Sequence, residues 1–156
     1  MKEIERKFLV NKEQLPLLNK KKAITILQGY ILNTKELTVR IRIADKKGFL
    51  TIKGKTERIS REEYEYEIPY QEAITLMKNY IKEKIEKKRN VVFFKNKKWE
   101  IDVFSGNLEG LIIAEIELKS ENEKIAIPVW CKKEVSKNSN YYNSELVKLS
   151  SAENLF

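Results

Sequence analysis

Charged residues fall on every second position in segment after segment of this chain, and that period of two constrains the fold more than any other feature. Glu3, Glu5 and Lys7 alternate with Ile4, Arg6 and Phe8, and Arg40 and Arg42 with Val39, Ile41 and Ile43. Glu63 and Glu65 alternate with Tyr64 and Tyr66, Glu100 and Asp102 with Trp99, Ile101 and Val103, and Glu115 and Glu117 with Ile116 and Leu118. Side chains along a strand point to opposite faces in turn, so each such strand carries one ionic and one apolar face. A solvated sheet face accounts for simple alternation, with cross-strand pairs of opposite sign giving modest support. It does not account for the grouping of signs. Arg40 stands with Arg42, Lys53 with Lys55, Lys87 with Arg89, Glu63 with Glu65 and Glu115 with Glu117. Like charges on one face repel unless an ion of the other sign lies between them. The pattern therefore points to a polyanion and metal cations held together.

The rest of the composition narrows the chemistry. A chain of 156 residues fits one domain, 1–156, with a core of its own. The formal charge is +8, from 31 Lys and Arg against 23 Asp and Glu. A nucleic-acid surface would be mostly basic, whereas here acids and bases share faces, so no nucleic-acid partner is expected. Lys20 to Lys22, Lys46-Lys47, Lys95 to Lys98 and Lys132-Lys133 fall between or at the ends of strand patterns and read as solvated turns. Histidine is absent, which removes Ser-His-Asp and Cys-His nucleophilic sites and His-type zinc sites. Carboxylates remain, and these are hard oxygen ligands suited to Mg2+ or Mn2+. The lone cysteine, Cys131, reads as a buried small side chain and fits a reducing compartment. No apolar run approaches the roughly 20 residues that span a bilayer. The chain opens directly on a strand pattern without a signal-peptide layout, so a cytoplasmic protein with no membrane partner is expected.

Strands are predicted near 2–10, 23–33, 36–45, 48–57, 61–69, 84–95, 98–104 and 111–119, with a short edge segment at 125–130. Hairpin turns are expected at Lys46-Lys47-Gly48 and Asn96-Lys97. Ala73, Ile74, Met77, Tyr80 and Ile81 change the period to three and four, which predicts a helix over 70–80. A short helix or turn near 11–18 and a C-terminal helix over 138–150 complete the reading. The sum is an antiparallel α+β domain with a closed sheet.

Several stretches, in order, make up one set. They are Glu-Ile-Glu-Arg-Lys-Phe-Leu-Val at 3–10, Thr-Val-Arg-Ile-Arg at 38–42, Leu-Thr-Ile-Lys-Gly-Lys at 50–55 and Ser-Arg-Glu-Glu-Tyr-Glu-Tyr-Glu-Ile-Pro at 60–69. Lys87-Lys88-Arg89, Trp-Glu-Ile-Asp-Val-Phe at 99–104, Leu-Glu-Gly-Leu at 108–111 and Ala-Glu-Ile-Glu-Leu at 114–118 continue the set. Taken together these stretches resemble the CYTH superfamily of triphosphate tunnel metalloenzymes, and most of all its short bacterial members. The resemblance implies an eight-stranded antiparallel β-barrel, a tunnel with ionic faces inward and a few flanking helices. It implies phosphate contacts from Lys7, Arg40, Arg42, Lys53, Lys55, Arg61, Lys87 and Arg89. Glu3, Glu5 and Glu117 would hold a first metal. Glu63, Glu65, Asp102 and Glu115 would serve a second that positions water, and Lys87 is a further candidate as proton acceptor. The implied activity is metal-dependent hydrolysis of inorganic triphosphate, with nucleoside or thiamine triphosphates as lesser substrates and Mg2+ or Mn2+ as cofactor. The alternatives are a class IV adenylate cyclase and a non-catalytic polyphosphate- or nucleotide-binding protein. A homodimer is compatible with exposed apolar barrel surface.

Overall fold

The computed structural model describes residues 1–155, and its nine strands form one antiparallel sheet that closes on itself. The strands are β1 (Lys2–Val10), β2 (Ile24–Asn33), β3 (Leu37–Ala44), β4 (Lys47–Gly54), β5 (Ser60–Ile68), β6 (Lys84–Phe94), β7 (Lys97–Phe104), β8 (Ile112–Glu117) and β9 (Cys131–Glu134). Their order is β5-β4-β3-β2-β6-β7-β8-β1-β9, and β5 also pairs with β1. That last pairing (Lys2 with Glu62, Glu3 with Arg61, Ile4 with Ser60) closes an eight-stranded barrel. It uses only the first half of β1. The second half of the same edge takes β9, with Phe8 opposite Glu134 and Val10 opposite Cys131, so the edge is not left bare.

Because the ionic faces turn inward, the apolar faces turn outward and need covering. The helix α1 (Tyr70–Tyr80) covers one side, and Ala73, Met77 and the following Ile81 meet Ile41 and the half-buried Leu27, Ile43 and Leu50. On the other side Ile4, Phe8, Trp99, Ile101, Ala114 and Ile116 are covered by Trp130, Leu118 and the half-buried Leu15, Leu18 and Ile125. The Trp99 ring meets Phe8 at 5.7 Å and Trp130 at 5.3 Å between centroids. The third cluster lies inside one end of the barrel. There the inward rows change from charged to apolar at Leu9, Ile85, Phe104 and Ile113, and the chain beyond β9 fills the end with Val135, Tyr141, Leu146 and Val147. The barrel is therefore a deep cup with an apolar floor.

Two glycines set how closely α1 and its C-terminal loop approach the wall. A Cβ at Gly48 would stand 2.6 Å from Ala73 Cβ, and one at Gly29 would stand 2.3 Å from Ile81 Cγ2. Gly48→Ala is expected to cost about 1–3 kcal/mol by forcing helix and strand apart. Chemical denaturation measures this, and an unchanged midpoint would show that the helix is not seated as described.

Several sequence expectations shift. The 125–130 segment is not a strand, and the edge strand lies at Cys131–Glu134, past Pro128, which has no N–H to give a ladder. The 138–150 helix is a 3-10 turn at Ser139–Tyr141 followed by one helical turn, α2 (Asn143–Leu146), and the 11–18 element is a 3-10 turn at Lys12–Gln14. The hairpin turns fall one residue earlier than expected, at Asp45-Lys46 and Lys95-Asn96. Lys95 and Asn96 both have positive φ, the backbone of a tight two-residue turn. Cys131 is half-buried and not fully buried, and desolvation pushes its thiol pKa up to about 12, so it is a poor nucleophile.

Candidate active site

The strands bring most of the expected residues to one cavity of about 480 Å³ inside the cup. Glu3, Glu5, Lys7, Arg40, Arg42, Lys53, Arg61, Glu63, Glu65, Lys87, Arg89, Glu115 and Glu117 all line it. Barrel register explains the convergence. Arg40 stands opposite Thr51, which stands opposite Glu65, while Lys53 stands opposite Glu63. Arg42 Nη2 reaches Glu65 Oε1 at 2.9 Å, and Lys53 Nζ reaches Glu63 at 2.8 Å and Glu3 at 3.0 Å. Arg61 Nε meets Glu3 at 2.9 Å, and Lys7 Nζ bridges Glu5 at 3.1 Å and Glu115 at 3.0 Å.

Two expected residues are placed elsewhere. Lys55 is exposed and lines a surface hollow with Met1, Lys2 and Glu57, because β4 ends at Gly54 and the alternation ends with it. Asp102 is fully buried and does not line the cavity. Its Oδ1 accepts from Arg89 Nε at 2.7 Å, and its Oδ2 accepts from Arg89 Nη2 at 2.8 Å and lies 2.6 Å from Lys87 Nζ. Those contacts pair both of its oxygens with cations, so in this structure Asp102 anchors Lys87 and Arg89. Residues outside the expected site set also line the cavity: Gln28, Glu100, Lys119 and Asn143, and with them Lys97 and Lys98, whose cluster reads as a solvated turn in the sequence. Glu100 belonged to an alternating strand and could have been chosen. Asn143 comes from the plug, where its Oδ1 accepts from Lys87 Nζ at 3.3 Å, and no sequence signal marks it.

Electrostatics separate the carboxylates into two groups. Burial alone would raise the pKa of Asp102 and Glu115, but neighbouring cations outweigh it: Lys87 and Arg89 for Asp102, Lys7 and Arg89 for Glu115. Both are held below the usual carboxylate range. Glu63 is lowered as well, with Lys53 outweighing the burial. Glu117 moves the other way. Partial desolvation and four facing carboxylates, Glu3, Glu63, Glu5 and Glu100, raise its pKa. Glu117 also stands directly across the ladder from Glu5. Such an arrangement is unfavourable until a cation enters it. No three acidic side chains among the described residues yet converge as a finished metal cage, since Lys53, Lys7 and Arg61 hold Glu3 and Glu5. The oxygen-only, surplus-carboxylate donor set at Glu5 and Glu117 still fits a hard divalent cation.

Lys87 is one of the perturbed lysines of the site. Burial and the nearby Arg89 pull its pKa down to about 8 against the opposing pull of Asp102. Lys53 is also lowered, by burial and then by Arg40 and Arg61.

An antiparallel barrel with its ionic rows turned inward around a small cup defines a protein that binds compact polyanions in its interior. The chain belongs to the CYTH domain family, whose profile matches residues 1–151. It is 46% identical over 149 residues to a protein of Acetivibrio thermocellus named inorganic triphosphatase, covering 94% of each chain. It is 33% identical over 150 residues to another of that name from Nitrosomonas europaea, covering 94% of this chain and 97% of the relative. A crystal structure of an inorganic triphosphatase superposes with a TM-score of 0.67 at 30% identity, covering 93% of each chain. A putative adenylate cyclase from Bacillus halodurans shares the fold at 20% identity and a TM-score of 0.61, covering 77% of this chain and 83% of that one. No helix of the described residues is long and apolar enough to cross a membrane.

Proposed function

We propose that the protein is a metal-dependent inorganic triphosphatase that cleaves tripolyphosphate with water into pyrophosphate and orthophosphate. The observation that carries this reading is one cup in which Arg40, Arg42, Lys53, Lys87 and Arg89 converge beside a cluster of mutually repelling carboxylates. A pure anion clamp needs the cations alone. The surplus acid Glu117, set among other carboxylates, makes sense where a metal shares the site.

Arginine forks grip phosphate oxygens through paired N–H donors, and lysines act as compact point charges. Arg40 and Arg42 come from one strand face and reach across to Glu65, so an arriving phosphate competes with that carboxylate for the forks. Glu3, Glu5 and Glu117, with Glu63 and Glu65 as a second candidate set, would hold Mg2+ or Mn2+. That ion would offset substrate charge and lower the pKa of a bound water. Phosphoryl transfer needs little covalent help, so positioning and fixed charge supply most of the rate. Lys87, with its pKa drawn down to about 8, would accept a proton in its neutral form.

A cyclase would need a surface for an adenine ring and contacts for a ribose. Among the described residues lining the cavity there is no aromatic side chain, and Leu118 is the one apolar residue. The test is incubation with tripolyphosphate or ATP in Mg2+ and in Mn2+, following orthophosphate, pyrophosphate and cyclic AMP. Rapid equimolar release of orthophosphate and pyrophosphate from tripolyphosphate is expected. Cyclic AMP as the main product from ATP, or tight tripolyphosphate binding without turnover in either metal, would overturn the proposal.

A further inference from the structure

Gln28 sits in the wall of the charged cup with 1% of its surface exposed. Among the described residues, neither Nε2 nor Oε1 of its side chain has a hydrogen-bond partner. A primary amide carries two donors and an acceptor oxygen with two lone pairs, and leaving them dry and unpaired is costly. The position does not demand that cost. Ile85 lies directly across from Gln28 on β6, and Ile26 sits two residues earlier on the same strand, so an apolar side chain suits this part of the wall. On its other side the ladder partner is Arg42, whose Nε–H is also buried without an acceptor among the described residues. Two unsatisfied groups, one with an acceptor to give and one with a donor, therefore face each other across β2 and β3 at the edge of the cavity.

We propose that Gln28 is a substrate-binding residue. Its amide N–H donates to a non-bridging phosphate oxygen, and its Oε1 accepts from Arg42 Nε and holds that guanidinium fork on the substrate. The role rests on the triphosphatase reading above. It adds hydrogen bonds without charge, a task that neither the lysines nor the carboxylates of the cup can perform. It also gives a physical reason for a polar residue at a site otherwise suited to isoleucine.

Three variants test it. Gln28→Leu removes both hydrogen bonds and also the burden of burying the amide. Gln28→Met does the same while keeping the side-chain length, and guards against a folding defect from the branched leucine. Gln28→Glu keeps the shape but cannot donate when ionised. Each is compared with wild type for melting temperature without ligand, for tripolyphosphate binding by calorimetry in EDTA where no turnover occurs, and for kcat/KM in Mg2+. Gln28→Leu and Gln28→Met are expected to melt no lower than wild type, while Kd rises about 10- to 100-fold and kcat/KM falls in step. Gln28→Glu is expected to bind still more weakly, because its carboxylate repels the anion. A Kd for the leucine and methionine variants within twofold of wild type overturns the proposal, whatever their melting temperature, and would assign the amide to internal water. Wild type that cleaves tripolyphosphate normally beside such variants removes only the role of Gln28. Wild type that neither binds nor cleaves it removes the triphosphatase reading itself.

Discussion

Glu117→Gln is expected to lower kcat/KM for tripolyphosphate by about 100- to 1000-fold while the protein stays folded. The side chain stands on the open part of β8, across from Glu5, and Glu3, Glu63 and Glu100 also face it. Partial burial and those neighbours raise its pKa, which means that its negative charge is unfavourable in the metal-free protein. Removing that charge relieves repulsion, so the unliganded variant should melt at the wild-type temperature or above it. The same charge becomes favourable once a divalent cation enters, and an amide oxygen is a far weaker ligand. The expected signature is thus a split: stability held or raised, activity lost, and the Mn2+-dependent rise in melting temperature reduced. Raising Mn2+ should recover part of the rate. Full activity at ordinary Mg2+, or a large fall in stability without metal, would remove Glu117 from the metal site and make it a structural acid.

Most of the barrel could be read from the sequence because its strands obey a period of two and its like-charged pairs demand a shared interior. Arg40 with Arg42 and Glu115 with Glu117 were legible for that reason, and the cavity gathers all four. The misplacements have physical causes. Lys55 continues the alternation on paper, but its strand ends at Gly54 and the side chain leaves the barrel. Asp102 shares a face with Glu100, yet it lies deeper, where Arg89 and Lys87 claim its oxygens. Period alone gives the face and not the depth. β9 was missed because Lys132-Lys133-Glu134 reads as a solvated turn, whereas its backbone completes the edge of β1. The C-terminal segment has helix-like spacing of Tyr141, Leu146, Val147 and Leu149, but those residues fill the barrel floor from short turns, and tertiary packing overrides the pattern. Gln28 carried no charge, so a search for charged rows passed over it. The depressed pKa of Lys87 likewise depends on how deeply the fold buries it beside Arg89, which no spacing encodes.

Asp102→Asn is expected to cost about 3–5 kcal/mol at neutral pH, because it leaves two buried cations facing a neutral group. Asp102 is fully buried, and it holds Lys87 at 2.6 Å and Arg89 through two bonds of 2.7 and 2.8 Å. The loss should depend on pH with a defined sign. Lys87 has a folded pKa of about 8 against an unfolded value of 10.5, so between those values the unfolded chain binds more protons. Stability therefore rises with pH through that window, and the penalty for burying the ammonium is present in full below about pH 8. Removing Asp102 deepens the penalty and pushes the Lys87 pKa lower still. The stability gap between variant and wild type should be widest below the variant's lowered Lys87 pKa, narrow as pH rises from there to about 8, and level off once Lys87 is neutral in both. It should not close, since Arg89 stays charged and has lost both bonds to Asp102, keeping only Glu100 and Glu115. The acid side has the opposite dependence. Asp102 has a lowered folded pKa, so its contribution is present above its unfolded value and disappears as pH falls through the folded one. Activity gives an independent reading of the same group. If neutral Lys87 accepts a proton, wild-type kcat/KM rises with pH through about 8 and the variant's rising limb moves to lower pH. A wild-type kcat/KM that falls above pH 8 would make Lys87 a charged phosphate clamp, and a stability gap that does not vary with pH would dissolve the link between Asp102 and Lys87.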